Sequence, residues 1–131
     1  MSNRETVIAQ AERFMRAIEQ PGSPIFASGS GMTIAAWLRL ETKGVRRFGR
    51  MMIRERHTYD HRETDEQIGE RIYAFIDIES GDILKPEGWR KPAQHPRGNL
   101  FDEDMGIAGV NWYGPKYMDD PTLPARYRRA A

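Results

Sequence analysis

The residues with the clearest potential for chemistry lie close together, between residues 89 and 99. This segment reads Trp-Arg-Lys-Pro-Ala-Gln-His-Pro-Arg-Gly-Asn. An exposed indole at Trp89 would offer a flat face on which a nucleobase can stack, and Asn99 can exchange hydrogen bonds with a base edge or a ribose. The cations suited to phosphate are Arg90, Lys91 and Arg97. Residue types indicate a nucleotide-binding loop, and leave equally open a structural role in which Trp89 covers a hairpin and Asn99 caps a turn.

Sequence patterns typical of enzymes are missing from the same chain. The run Gly29-Ser30-Gly31 lacks the rest of a Walker loop, and no Gly-x-Gly-x-x-Gly follows a strand pattern, so we interpret the run as a turn. The adjacent carboxylates of residues 102–104 are typical of a solvated turn or a helix start. We therefore expect a binding protein rather than an enzyme.

One group of residues contains the residue types that bind metal ions, but the surrounding sequence does not suit a metal site. His57 and His61 are four residues apart and have Asp60 and Glu63 nearby. The surrounding run is polar and positions no third strong ligand. The chain also has no cysteine, which excludes thiolate ligands and disulfides and fits a reducing, intracellular setting. We expect no metal and no cofactor.

The segment 89–99 is part of a longer pattern of motifs. They are Ile72–Asp77, Gly81–Lys85, Trp89, Lys91–Asn99 and Tyr113–Tyr117, the last reading Tyr-Gly-Pro-Lys-Tyr. This pattern resembles a family of small proteins common in phage genomes. Through its aromatic residue followed ten positions later by asparagine, it is similar to the anti-Thoeris proteins, which sequester cyclic ADP-ribose-type immune signals. The likeness covers roughly the C-terminal half of the chain.

The resemblance implies a phage counter-defence protein in the cytoplasm of the infected host cell. Such a protein binds and sequesters a cyclic nucleotide, glycocyclic ADP-ribose, without cleaving it. Trp89 would stack on adenine, Asn99 would bond the base or ribose, and Arg90 and Arg97 would face the diphosphate. The other expected ligand-binding residues are Lys91, His95, Lys116 and Tyr117.

The resemblance also implies an assembly and shows one departure from the family pattern. The expected form is a homo-oligomer built from dimers, such as a hexamer, with pockets shared between subunits. The family takes a pocket arginine from the segment near the C-terminal Tyr-Gly motif. Here that segment offers Lys116, followed by Asp119 and Asp120.

Two other functions fit the same residues. Stacking aromatics and basic side chains are also the footprint of a single-stranded nucleic-acid-binding protein of phage replication, although a net charge of +1 is low for that role. The third possibility is an inhibitor that binds a host protein through the same loop.

Hydrophobic periodicity predicts the elements that must position these residues. An amphipathic helix is expected over residues 3–20, with a capping box at Ser2 and Glu5 and a stop at Pro21-Gly22. Its apolar stripe consists of Val7, Ile8, Ala11, Phe14, Met15 and Ile18.

Strand patterns follow the helix. Alternation predicts a strand from Met32 to Leu40, a second over Val45–His57, and a third over Arg71–Ile78 with one core face and one half-polar face. The Ser80-Gly81-Asp82 turn leads into a returning strand at residues 83–85. Residues 59–69 have almost no apolar content and are expected to form a mobile excursion, whereas the prolines of residues 86–97 exclude a central strand.

Together these patterns predict an α+β fold, with an N-terminal amphipathic helix packed on an antiparallel β-sheet of about 4–5 strands. A chain of 131 residues forms one domain. We divide it into the helix, the sheet over 32–85, an aromatic and basic segment over 86–118, and a frayed tail over 119–131. Arginine and lysine dominate residues 39–56, which favours an anionic partner, and no stretch is apolar enough to predict a membrane span.

Overall fold

The single α-helix, α1, spans Asn3–Ile18 in a computed structural model that describes residues 3–26 and 31–129. It ends two residues before the predicted boundary because Pro21 disfavours helical backbone at Gln20. The predicted cap at Ser2 and the Gly29-Ser30 part of the predicted turn lie outside the described residues. The buried side chains of α1 recur every three to four residues and form one apolar stripe; they are Val7, Ala11, Phe14, Met15 and Ile18.

The strands form one antiparallel sheet whose spatial order follows the chain. Its five strands are β1 (Met32–Glu41), β2 (Phe48–Tyr59), β3 (Glu66–Asp77), β4 (Asp82–Leu84) and β5 (Gly98–Asn99). The predicted α+β fold, with one helix and about five antiparallel strands, is confirmed.

The two faces of the sheet have different environments. On β1, Ile34, Ala36 and Leu38 are buried in the same cluster as the α1 stripe, whereas Trp37 and Arg39 are exposed on the other side. We call the side packed by α1 the inner face and the opposite side the outer face. The alternation predicted for β1 is confirmed.

The β2–β3 hairpin extends into the region predicted to be a mobile excursion. That prediction is wrong for residue 59 and residues 66–69, because β2 continues to Tyr59, β3 begins at Glu66, and His57 still pairs with Glu66; residues 60–65 form the connecting loop. Polar cross-strand contacts replace apolar ones: the Tyr59 hydroxyl donates to Glu66 at 2.9 Å, and Arg56 lies 3.7 Å from Asp65. A two-stranded ladder in water needs no apolar run, so hydropathy gave no signal for it.

A register shift in β3 changes which side chains reach the core. Met51 pairs with Ala74 and Met52 with Ile72, so Tyr73 is an extra residue on β3. Tyr73 and its neighbour Ala74 are both fully buried in the main cluster. The face of this strand that was predicted to be half polar is mostly shielded from solvent, since Tyr73, Phe75 and Asp77 are all buried.

The C-terminal segment is ordered against the sheet. It contains 3-10 turns at Ile107–Gly109 and Ala125–Tyr127 and a small hairpin of β6 (Val110–Asn111) and β7 (Gly114–Pro115). The frayed tail predicted over 119–131 is wrong for residues 119–129, because Leu123 is buried and the Tyr127 hydroxyl donates to Asp102 at 2.6 Å. These contacts join residues far apart in sequence, where local pattern carries no signal.

Candidate functional site

A pocket of about 410 Å³ lies where β3 runs past the end of β4 and meets the β6–β7 hairpin. Its volume falls within the range of small-molecule sites, roughly 300–1,000 Å³. We call it the tyrosine–lysine pocket; it is lined by Ile72, Tyr73, Lys85, Pro86, Asn111, Tyr113, Pro115, Lys116 and Tyr117.

The β6–β7 hairpin is fixed to β3 at Tyr73. The Tyr73 hydroxyl donates to the Asn111 carbonyl oxygen at 2.6 Å. Gly114 has a φ of +133°, and a Cβ built on it would lie 2.4 Å from the Tyr73 carbonyl oxygen. Only glycine therefore permits this approach of β7 to β3, and the wall of the pocket depends on it.

A second clamp on the β6–β7 hairpin is Arg71, which is itself held by the buried carboxylate of Glu55. Arg71 donates to the carbonyl oxygens of Tyr113 at 2.8 Å and Trp112 at 2.9 Å, and also to the buried carboxylate of Glu55. The other oxygen of Glu55 lies 2.7 Å from Nε2 of His57. This satisfied network fixes the backbone of Tyr113, whose side chain lines the pocket.

The main charged group in the pocket is Lys85. Its Nζ donates to the Pro115 carbonyl oxygen at 3.0 Å and lies 4.2 Å from the centre of the Tyr117 ring. Burial lowers the pKa of Lys85, and repulsion from Arg97 and Arg71 adds to this. In the described part of the chain no carboxylate forms an ion pair with Lys85 or Lys116. An anion in this pocket would relieve the repulsion and replace lost hydration.

Two flat aromatic side chains are exposed at the same pocket. Tyr113 is 64% exposed and Tyr117 is 67% exposed, although both line the cavity. The Tyr113 ring stacks on Trp112 with centroids 3.7 Å apart. Large aromatic faces open to solvent beside lysines that form no ion pair within the described residues can hold a planar anionic ligand.

The predicted site residues do not form one group. Lys116 and Tyr117 line the pocket, whereas Trp89, Asn99 and Arg97 do not. Arg97 is only 6% exposed, and it donates to the carbonyl oxygens of Lys116, at 2.8 Å, and His95. Burial lowers the pKa of Arg97. This guanidinium joins the loop before β5 to the backbone of the pocket wall.

The amide of Asn99 is engaged within its own chain. Its Nδ2 donates to the Ser80 carbonyl oxygen at 3.0 Å and to Asp82 at 2.9 Å, and its Oδ1 accepts from the Phe101 backbone at 2.8 Å. This geometry corresponds to the structural role that the sequence left open, a cap on the turn that follows.

Trp89 and its neighbours lie at the surface. Trp89 is 55% exposed, and its ring centre lies 4.7 Å from the Arg50 guanidinium on β2. Arg90, Lys91 and His95 are also exposed. Trp89 therefore belongs to the outer face of the sheet and not to the pocket.

Sequence reasoning missed Lys85, Asn111 and Tyr113 as site residues. Lys85 and Tyr113 stood at the ends of motifs already identified, Gly81–Lys85 and Tyr113–Tyr117. Their proximity depends on the clamps at Tyr73 and Arg71, which no spacing in the sequence reveals. Among the described residues no group of three or more histidines or carboxylates is placed to hold a metal ion, and no helix there is long and apolar enough to cross a membrane.

Residues 33–118 match a family of unknown function, DUF7717. The chain belongs to this family. No curated protein and no solved structure matches it. The DUF7717 match includes the five strands of the sheet, apart from the first residue of β1, and every residue of the tyrosine–lysine pocket, and it leaves out α1 and the C-terminal tail.

Proposed function

We propose that this DUF7717 protein binds a cyclic ADP-ribose-type nucleotide in the tyrosine–lysine pocket and sequesters it without cleaving it. The observation that carries the proposal is Lys85, a partly buried cation that forms no ion pair with any carboxylate of residues 3–26 and 31–129, beside the exposed rings of Tyr113 and Tyr117. A ligand with both phosphate and a planar base matches these two features at once.

The chemistry of each side chain determines which part of the nucleotide it contacts. Lys85 and Lys116 contact the diphosphate, because ammonium groups bind phosphate oxygens through charge-assisted hydrogen bonds. Tyr117 and Tyr113 stack on the base, for which every nucleobase has a suitable face. Ile72 supplies apolar contact for the ribose edges.

The composition of the pocket supports binding over catalysis. Among the residues that the structure describes, none of those lining the pocket has a carboxylate, imidazole, serine, threonine or cysteine side chain. Hydrolysis of a nucleotide needs a group that activates water or attacks phosphorus, and carboxylates, imidazoles, hydroxyls and thiols of the excluded types are the usual groups for this. A ligand held here is released unchanged.

Sequestration of an immune signal is the role that fits such a site in a phage protein. A binder that is made in large amounts lowers the free concentration of the signal by mass action, with no turnover required. We place it in the cytoplasm of the infected host cell, as a homo-oligomer built from dimers.

Isothermal titration calorimetry with glycocyclic ADP-ribose isomers tests the proposal directly. Linear ADP-ribose and adenosine serve as comparison ligands, and mass spectrometry of the ligand recovered after denaturation tests whether it is intact. We expect stoichiometric binding of an unmodified cyclic nucleotide. Absence of heat and of a thermal shift at micromolar protein would contradict the proposal.

A pair of variants locates the site. Tyr117→Ala removes one exposed ring of the pocket and should weaken binding about 5- to 150-fold, which corresponds to the loss of one stacked base. Trp89→Ala removes an exposed ring that does not line the pocket and should leave affinity within about twofold. The reverse ranking would move the nucleotide to the loop around Trp89.

A further inference from the structure

Two exposed tryptophans lie on the outer face of the sheet, away from the tyrosine–lysine pocket. Trp37, on β1, is 45% exposed and Trp89, in the loop after β4, is 55% exposed. Neither side chain lines the pocket. Two large exposed rings on one side of the sheet provide flat surfaces on which a planar group can stack.

Each indole is accompanied by arginines from β2. The Trp89 ring centre lies 4.7 Å from the Arg50 guanidinium, and the Trp37 ring centre lies 6.0 Å from Arg54 and 5.8 Å from Arg56. Side chains two residues apart on a strand point to the same face, so the three arginines form one row, with the buried side chain of Met52 between Arg50 and Arg54. The row connects the two indoles.

The row is long enough for an extended ligand. Arg50 and Arg54 are four residues apart on β2, a separation of about 13 Å at the rise of an antiparallel strand. Trp37 pairs with Arg54 across the β1–β2 ladder, so it lies near one end of this interval, with Trp89 near the other. One mononucleotide does not span both indoles, whereas a short single strand does.

We propose that the outer face binds single-stranded nucleic acid, with bases stacked on Trp37 and Trp89 and phosphates held by Arg50, Arg54 and Arg56. Stacking platforms joined by cations are the usual means of holding a single strand without reading its sequence. A duplex hides its base faces within the stack, so this surface discriminates against it.

Carboxylates moderate the charge of this face. Arg50 lies 3.4 Å from Glu41, and Arg56 lies 3.7 Å from Asp65. In the described part of the chain Arg54 forms no ion pair with a carboxylate. Phosphates must compete for two of the three arginines, so we expect binding that rests more on stacking than on charge, with a logarithmic salt slope of about −1 to −2.

Fluorescence anisotropy with labelled oligothymidylates of increasing length is the primary experiment. We expect affinity to rise with length until both indoles are engaged, quenching of tryptophan emission on binding, and weaker binding of duplex DNA of the same length. Length-independent binding, or binding of duplex as tight as that of single strands, would overturn the proposal.

Single substitutions test whether the oligonucleotide binds at the outer face. Trp37→Ala and Trp89→Ala should each weaken oligonucleotide binding about 5- to 150-fold. Tyr113→Ala removes a ring that is outside this face and more exposed than either indole, and it should leave oligonucleotide binding unchanged. Arg54→Gln should reduce the salt slope by about 0.7, the contribution of one single-strand phosphate. If Trp37→Ala lowers stability, Trp37→Phe and Arg54→Gln still decide: the first must retain binding and the second must weaken it.

The single-strand site on the outer face and the cyclic-nucleotide site in the pocket can be tested separately. Trp37→Ala should leave binding of the cyclic nucleotide unchanged, and Tyr117→Ala should leave oligonucleotide binding unchanged. If both ligands respond to the same variants, the outer face and the pocket act as one site and the present proposal is refuted.

Discussion

Lys85→Met should weaken ligand binding while changing the free energy of unfolding little. The Lys85 Nζ donates to the Pro115 carbonyl oxygen at 3.0 Å and lies 4.2 Å from the centre of the Tyr117 ring. Methionine keeps an unbranched stem of similar length in the same space. The change therefore removes the charge while disturbing the packing little.

The expected change in the free energy of unfolding is small because opposing effects nearly cancel. Loss of a hydrogen bond from a charged donor costs about 1.5–3 kcal/mol, and loss of the ring contact about 0.5–1 kcal/mol. Against these, the variant no longer buries a cation whose pKa is lowered by desolvation and by Arg97 and Arg71. We expect a net change of about 1 kcal/mol or less.

Ligand binding should respond differently to the same variant. A phosphate contact from an ammonium group contributes about 1.5–3 kcal/mol, so affinity for the cyclic nucleotide should fall roughly 10- to 150-fold. Urea unfolding gives the stability, and titration calorimetry gives the affinity. Arg97→Met is the contrasting variant: it strips the Lys116 and His95 carbonyl oxygens of their donor and should cost about 2–4 kcal/mol.

Two results would refute this reasoning. If Lys85→Met lowers the free energy of unfolding by more than about 3 kcal/mol, Lys85 is a structural cation and is not available to a ligand. If the variant keeps full affinity for a ligand that the wild type binds, the phosphate lies outside the tyrosine–lysine pocket.

Three further predictions concern the fold that supports the site. Gly109→Ala should destabilise the protein by roughly 3 kcal/mol or more, since its Cβ would lie 2.1 Å from a backbone carbonyl oxygen, whereas Gly88→Ala, with nothing within 4 Å, should be nearly neutral in urea unfolding. Leu123→Ala should cost about 2–3 kcal/mol and increase hydrogen exchange in the C-terminal segment; unchanged exchange would mean that the tail does not dock. Burial, followed by the hydrogen bond to Asp102, raises the pKa of Tyr127 to about 12, so its contribution to stability is present below pH 10 and lost as pH rises to 12. The wild type should lose more stability over that range than Tyr127→Phe, and equal losses would contradict the assignment.

The fold was predictable where one face of a helix or strand is buried and the other is exposed to solvent. The stripe of α1 and the alternation of β1 follow directly from hydropathy, because each element has one apolar side. Prediction failed for the distal β2–β3 ladder, which is held by pairs such as Tyr59 with Glu66 and has no apolar side to detect. It failed again at Tyr73, because a single extra residue shifts the register and sends neighbouring side chains to one face.

The candidate site was only partly predictable, for a related reason. The segment 89–99 was rich in groups that bind nucleotides, and the same groups are also those that cap turns and join loops. Asn99 and Arg97 are used in this way, with their donors engaged by Ser80, Asp82 and Lys116. Sequence reports which groups are present, and only the fold determines which of them remain available to a ligand.

The availability of donors therefore decides where a ligand can bind on this protein. A side chain whose hydrogen bonds are already satisfied must break them before it binds anything else, and that cost is subtracted from affinity. Asn99 and Arg97 would incur this cost, whereas Lys85 has one backbone acceptor for three donors and Tyr117 presents an open ring. Satisfied polar groups support the wall of the pocket, and the less satisfied ones face the cavity, so the cyclic nucleotide is expected in the tyrosine–lysine pocket and not at Asn99 and Arg97.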